Sequence, residues 1–448
     1  MDSLALELLE DILYHVYEDL DPTELSNTFR NCSLVSHQWK EIAQPLLFSK
    51  FLLHGRRYDQ VKLHQTLISY PHLRDLVRCI WIDIDILSGV PELDSNAVID
   101  LYRQLTSNPR LYQIVIQETH KEADKQSFKT ICGLVSSSHL TILSLWGLRR
   151  FPIGLLYQCT SVRELHIYRS TFSGYSKDGD GGLTEVKELE PRSDDNQRGS
   201  AGQAPTRPRL ARLYLEAAYE DDVTLMKWFM HPDCAFDISE LKTFHFLDMS
   251  NKLNSYALAR SLAQSISSSL EDLALDPPTI FNQESYYKSP EYNRFDPLPQ
   301  LRRLKLSLQQ DDFPDASLLP WTIQFLSALP HPERLEELHI PSILTDYKPE
   351  AVDKDDGWED LDLFLTSFTP PTDDQPTGHR RFSNLNSIQL GVVILYSHPS
   401  DDERLRTIGK MLPSLLPRSQ ELGILKVSFS TVIGFLEDTD CWYHSNSE

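Results

Sequence analysis

A short apolar figure, L-x-x-L-x-L, returns through most of the chain. It stands at Leu111, Ile114 and Ile116, then at Leu140, Leu143 and Leu145, and at Val162, Leu165 and Ile167. Further copies are Leu210, Leu213 and Leu215; Leu241, Phe244 and Phe246; Leu270, Leu273 and Leu275; and Leu301, Leu304 and Leu306. The series closes with Leu335, Leu338 and Ile340; Leu385, Ile388 and Leu390; and Leu422, Leu425 and Val427. A looser first copy, Val77, Ile80 and Ile82, brings the number to eleven. Apolar residues two apart share one face of a strand, so each figure predicts a short strand with a buried side. Residues 97–105, 256–266, 321–329 and 404–412, which precede several copies, carry apolar positions at helical spacing. Helix, turn and strand form a unit that cannot bury its apolar face alone, so neighbouring units must stack.

The first fifty residues follow a different period and predict three short helices over 4–48. Leu4, Leu8, Leu9, Ile12 and Leu13 make one apolar stripe. Asp21 caps a second helix, with Pro22 at the first position, where a missing N–H costs nothing, and Glu24 completing the cap. Ser36 is placed to cap a third helix whose Trp39, Ile42, Ala43, Leu46 and Leu47 lie on one face. About 45 residues in three helices cannot cover that much apolar surface. Some of it must meet the rest of the chain or another protein.

The strings LALELLEDIL at 4–13 and LVSHQWKEIAQPLLF at 34–48 resemble the two ends of an F-box. Leu34, Val35, Ser36, Trp39, Ala43, Pro45, Leu46, Leu47 and Phe48 match that family in order and spacing, while Ala5 stands where it usually has proline. The later figure resembles leucine-rich repeats. Its start positions run from 77 to 422, about 34 residues per step; setting aside two 36-residue stretches, 173–208 and 345–380, leaves about 27, within the range of that family. The family's Asn or Cys after the strand is missing from most copies. Together the two resemble the F-box leucine-rich-repeat proteins of fungi. The resemblance implies an α/β chain: a three-helix F-box-like domain at 1–50, then an irregular leucine-rich-repeat solenoid over 51–448, strands parallel on a concave face and helices outside. It implies docking to the Skp-family adaptor of a cullin–RING ubiquitin ligase through Leu4, Leu8, Leu9, Ile12, Leu34, Val35 and Trp39. The repeats would then hold a protein substrate for ubiquitination. The alternative is an interaction scaffold outside any ligase, its N-terminal helices serving as a cap.

Composition narrows the partners. The chain has 448 residues, 40% hydrophobic, with 43 Lys and Arg against 65 Asp and Glu and a net charge of −22. Such a field opposes general binding to nucleic acid or anionic lipid. Six cysteines (Cys32, Cys79, Cys132, Cys159, Cys234 and Cys441) are scattered without a CxxC, as in a reducing compartment. No basic leader or membrane-length apolar run is found, so cytosol or nucleus is expected. Residues 173–208 hold six glycines and one aromatic and read as a disordered loop. In 345–380, Trp358, Leu361, Leu365 and Phe368 space as a helix between loops. The stretch 277–299 is irregular, and its Tyr286, Tyr287 and Tyr292 serve either a ligand or packing.

Phosphate-loop, dinucleotide, zinc-protease and esterase signatures are absent, and neither acidic run completes a calcium loop: Pro205 stands where Glu is needed, and Gly357 comes one place early. No catalytic residue, cofactor or metal is assigned. The strand positions between the paired apolar residues point to the opposite face. They offer Trp81, His166, Tyr214, His245, Lys305, His339, Gln389 and Lys426 as substrate-binding candidates, with Val115, Ser144 and Ala274 between them. The three histidines invite a zinc reading. On the fourth, sixth and ninth strands they stand about 10 and 14 Å apart at ~4.8 Å per strand, too far to share an ion.

Overall fold

In the computed structural model the described residues are 13, 22–53, 65–83, 104–118, 131–173, 207–217, 222–248, 253–275, 298–306, 308–310, 319–344, 357–367, 380–394, 410 and 413–431. The chain is an α/β protein of parallel strands and helices in two compact units, residues 1–210 with 235–237, and residues 211–234 with 238–448.

The first unit opens with helices α1 (Pro22–Val35) and α2 (His37–Ser49). Strands β1 (Lys50–Leu53), β2 (Cys79–Asp83), β3 (Gln113–Gln117) and β4 (Ile142–Trp146) follow, with a short helix α3 (Pro71–Arg74) before β2. Then come β5 (Phe151–Pro152), β6 (Glu164–Tyr168) and β7 (Phe172–Ser173). Strands β1, β2, β3, β4 and β6 pair in chain order, all parallel, and β5 pairs with β7 apart from them.

The second unit alternates β8 (Arg212–Ala217), α4 (Asp222–Phe229), β9 (Thr243–Asp248), α5 (Leu253–Ser265), β10 (Asp272–Leu275) and β11 (Arg303–Leu306). It continues with β12 (Leu308–Gln310), α6 (Leu319–Ser327), β13 (Glu337–Leu344), α7 (Gly357–Thr366), β14 (Ser387–Ile394), α8 (Pro417–Glu421) and β15 (Leu425–Thr431). Its sheet runs β8, β9, β10, β11, β13, β14, β15, again parallel throughout.

Each of the eleven apolar figures ends in one of these strands, and the register never slips. Ile80, Ile114, Leu143 and Leu165 stand opposite one another in the first unit. Leu213, Phe244, Leu273, Leu304, Leu338, Ile388 and Leu425 do so in the second. All but Leu425 are essentially without solvent contact. A slip of one residue would turn this row to the other face, so burial holds the register. The last copy is the weakest, because Leu422 is 46% exposed where its counterparts are buried.

The helices supply the other side of the core. In α5, Tyr256, Ala259, Leu262 and Ala263 are buried at helical spacing; in α6, Trp321, Phe325 and Leu326 are. The helix read from 256–266 is α5, that read from 321–329 is α6, and that read around Trp358 is α7. The stretch 97–105 is described only at its end and 404–412 at one residue, so both lie largely outside the described residues, as do the loops within 173–208, 277–299 and 345–380.

The turns before the strands are closed largely by backbone. Leu111, Leu140, Leu241, Leu301, Leu335 and Leu385 each donate an amide to the carbonyl three residues earlier, at 3.0 to 3.3 Å. The carbonyl one residue after that leucine then accepts two amides from the next unit. Arg78 O takes Tyr112 and Gln113, Tyr112 O takes Thr141 and Ile142, and Glu271 O takes Arg302 and Arg303. These groups would otherwise be buried without partners. Side chains add to this in several turns: Asn108 donates to Arg74 O and Val77 O and accepts from Arg110 N, Ser137 donates to Thr106 O, and Ser269 to Leu241 O.

Candidate interaction surfaces

The helical pair ends α1 abruptly and leaves an apolar corner. Ser36 is extended (φ −158°, ψ 170°), which stops α1 at Val35, and its Oγ accepts the Trp39 amide at 3.4 Å, which starts α2. Leu13, Phe29 and Ala43 form the buried centre of this helical module, with Cys32, Trp39, Ile42, Leu46 and Leu47 partly buried around them. Phe29 and Cys32 occupy the inward face of α1, so Leu34 and Val35 turn outward. They are 78% and 60% exposed, the highest of the exposed large hydrophobics among the described residues. Burying such a pair is worth on the order of 1.5–3 kcal/mol per residue.

The seven residues expected at an adaptor contact therefore separate. Leu34 and Val35 are open to a partner, Trp39 is half inside the helical core, and Leu4, Leu8, Leu9 and Ile12 lie outside the described residues.

The positions expected on the non-leucine face fall into rows. In the first unit Trp81, Val115, Ser144 and His166 are paired in register. Val115 and Ser144 are buried, so Trp81 and His166 are the more open positions of this row. The next row holds Gln117, Trp146 and Tyr168, which the sequence reading passed over because it sampled one position per strand. Trp81 Nε1–H donates to Gln117 Oε1 at 2.9 Å. The Trp81 and Trp146 rings lie 5.9 Å apart, and Trp146 and Tyr168 4.3 Å. His166 Nε2 lies 2.8 Å from Glu164 Oε1, and its Nδ1 lies 3.1 Å from the Tyr168 hydroxyl. These mutual bonds fix a mixed aromatic and polar surface.

In the second unit Tyr214, His245, Ala274, Lys305, His339, Gln389 and Lys426 align strand by strand. Ala274 is buried and Lys426 exposed; the others are half-buried. Tyr214 meets His245 edge to face at 4.8 Å, and His245 Nε2–H donates to Asp272 at 3.0 Å. Arg303 Nε completes the group, 3.2 Å from the other Asp272 oxygen. Burial alone would raise the Asp272 pKa, but the His245 hydrogen bond and the charges of His245, Arg303 and Lys305 outweigh it and hold the carboxyl below its usual range. Burial, helped by the charges of Lys305 and His245, pushes the His339 pKa down to about 3, so its ring is neutral near pH 7.

His245 and His339 stand three rungs apart in this sheet, about 14 Å at ~4.8 Å per strand. Among the described residues no three His, Cys, Asp or Glu side chains gather as metal ligands, and no helix is long and apolar enough to cross a membrane. The geometry offers docking surfaces: an exposed aliphatic corner and two structured sheet faces. No protein family matches this chain, and a search of curated proteins returns no relative.

Proposed function

We propose that the chain is the substrate-receptor subunit of a Skp–cullin–F-box ubiquitin ligase, its helical module docking the adaptor and its repeats recruiting a protein target. One observation carries this reading: Leu34 and Val35, the pair that opens the second F-box-like string, stand 78% and 60% exposed beside a small core of Leu13, Phe29 and Ala43. Two adjacent aliphatic side chains on a rigid corner have the form of an interface anchor. The repeats then act as leucine-rich repeats of a loose type, and the Trp81–Trp146–Tyr168 and Tyr214–His245–Asp272 groups are their target-binding surfaces.

Co-purification with a Skp-family adaptor tests the reading. The intact chain is expected to retain the adaptor, and a Leu34→Asp, Val35→Asp variant to lose it while remaining folded. Trp39→Ala is a poorer test, because that side chain also fills the helical core. Retention by the double variant contradicts the proposal.

A second reading, the N-terminal cap of a scaffold, has its own support. Helix α2 runs straight into β1, the first strand of the sheet, and Ser49 O accepts the Arg78 amide at 2.8 Å. Removing residues 1–48, which spares β1, distinguishes the two. A docking module is dispensable for folding, whereas loss of a cap should make the remaining chain aggregate.

A further inference from the structure

The turns that lead into the strands form one edge of each sheet, and the two units treat charge there in opposite ways. In the second unit cations and anions alternate and pair: Lys242 Nζ lies 2.9 Å from Glu271 on the next strand, and Arg302 3.4 Å from Glu336. In the first unit the corresponding turns, residues 70–78, 107–112, 136–141 and 159–163, contain Arg74, Arg78, Arg110 and Arg163 against the single acid Asp75, while the first strand rung adds one charge of each sign, Lys50 and Glu164. This occurs in a chain where acids outnumber bases 65 to 43. Arg78, Arg110 and Arg163 are exposed and make no ion pair among the described residues.

The row is rigidly spaced. Arg78 N donates to Ser49 O, Tyr112 N to Arg78 O, Thr141 N to Tyr112 O, and Arg163 N to Thr141 O, all at 2.8 to 3.0 Å. From Arg78 to Arg163 is three strands, or about 14 Å at ~4.8 Å each. Tyr112, bonded through its amide to Arg78 O, is 42% exposed, and Tyr70 in the same turn region is 54% exposed.

We propose that this edge is a docking surface for a short acidic segment of a partner protein. Guanidinium groups receive carboxylates through paired hydrogen bonds, and exposed tyrosines add flat contact area and a hydroxyl. A short segment fits better than a nucleic acid. The row is under two Debye lengths of ~8 Å each at physiological salt, so a few carboxylates feel it locally. A long polyanion would extend past it into the field of a protein with net charge −22. The surface is separate from Leu34 and Val35, so the proposal stands whether or not the chain binds an adaptor.

Fluorescence anisotropy of a labelled ten-residue poly-aspartate peptide against the full-length chain is the test. The expected result is saturable binding, weakened about tenfold by Arg78→Gln, Arg110→Gln, Arg163→Gln together, as three exposed charge contacts allow. Binding should persist in Lys242→Gln, Arg302→Gln on the second unit's edge, and should fall as salt is raised from 50 to ~300 mM. Matching far-ultraviolet circular dichroism shows that the triple variant is folded. Absence of peptide binding, equal binding by the triple variant, or tighter binding of a single-stranded DNA of equal charge overturns the proposal.

Discussion

Ser36 shows how much one residue decides here. Its extended backbone and its hydroxyl on the Trp39 amide end one helix, start the next and leave Leu34 and Val35 facing water. Since both are already exposed, Leu34→Asp and Val35→Asp should change the free energy of unfolding by less than about 0.5 kcal/mol in urea melts, as typical surface substitutions do. Asp362 is the opposite case. It is buried on α7 and accepts the amides of Arg418 and Ser419 and the Ser419 hydroxyl, at 2.8, 3.0 and 2.6 Å, so it caps α8 across 56 and 57 residues of chain. Asp362→Ala should cost about 2–3 kcal/mol in the same melts. The Ser36 cap could be read from its sequence, because donor and acceptor lie three residues apart. The Asp362 cap could not, because no local pattern joins residues separated by a whole repeat.

His339 adds a pH signature. Its folded pKa of about 3 lies below its unfolded value of 6.5, so between those pH values the unfolded chain holds a proton that the folded chain refuses. The resulting stability is fully present above pH 6.5 and declines as pH falls toward 3, by at most about 1.4 kcal/mol per pH unit. Urea midpoints at pH 7.5 and 5 should therefore fall less in His339→Gln than in the parent chain.

At the scale of elements, the apolar figure was the readable part. Period-two leucines located eleven of the fifteen described strands, because a buried face leaves that period; β1, β5, β7 and β12 carry none of the figures. The helices were less legible. Helix α4 was missed: DVTLMKWF places four of its apolar residues in adjacent pairs, Leu225 with Met226 and Trp228 with Phe229, which leaves its period ambiguous over two turns. The second row on the first unit's sheet, Gln117, Trp146 and Tyr168, was passed over although it stands two residues beyond the row that was read. Reading each strand two positions further would have found it. In the turns before the strands, backbone amides satisfy most turn carbonyls. Asn108 adds side-chain bonds there, and Asn108→Ala should cost about 1–3 kcal/mol by leaving Arg74 O, Val77 O and Arg110 N without that partner.

For the whole molecule, the helical module and the repeats are different kinds of surface. The module has its own small apolar centre around Phe29 and Ala43. The sheets carry polar and aromatic groups bonded to one another, which holds their side chains ready for a partner at low entropic cost. Net charge sets the background: against −22 for the whole chain, the arginine edge of the first unit is a local excess of positive charge.

Calorimetric titration of the full-length chain with a purified Skp-family adaptor tests the central claim most directly. The account predicts saturable binding with one adaptor per chain, weakened at least about a hundredfold by Leu34→Asp, Val35→Asp, the loss of two anchors worth ~1.5 kcal/mol or more each. No heat from the intact chain, or the same affinity in the double variant, would contradict it.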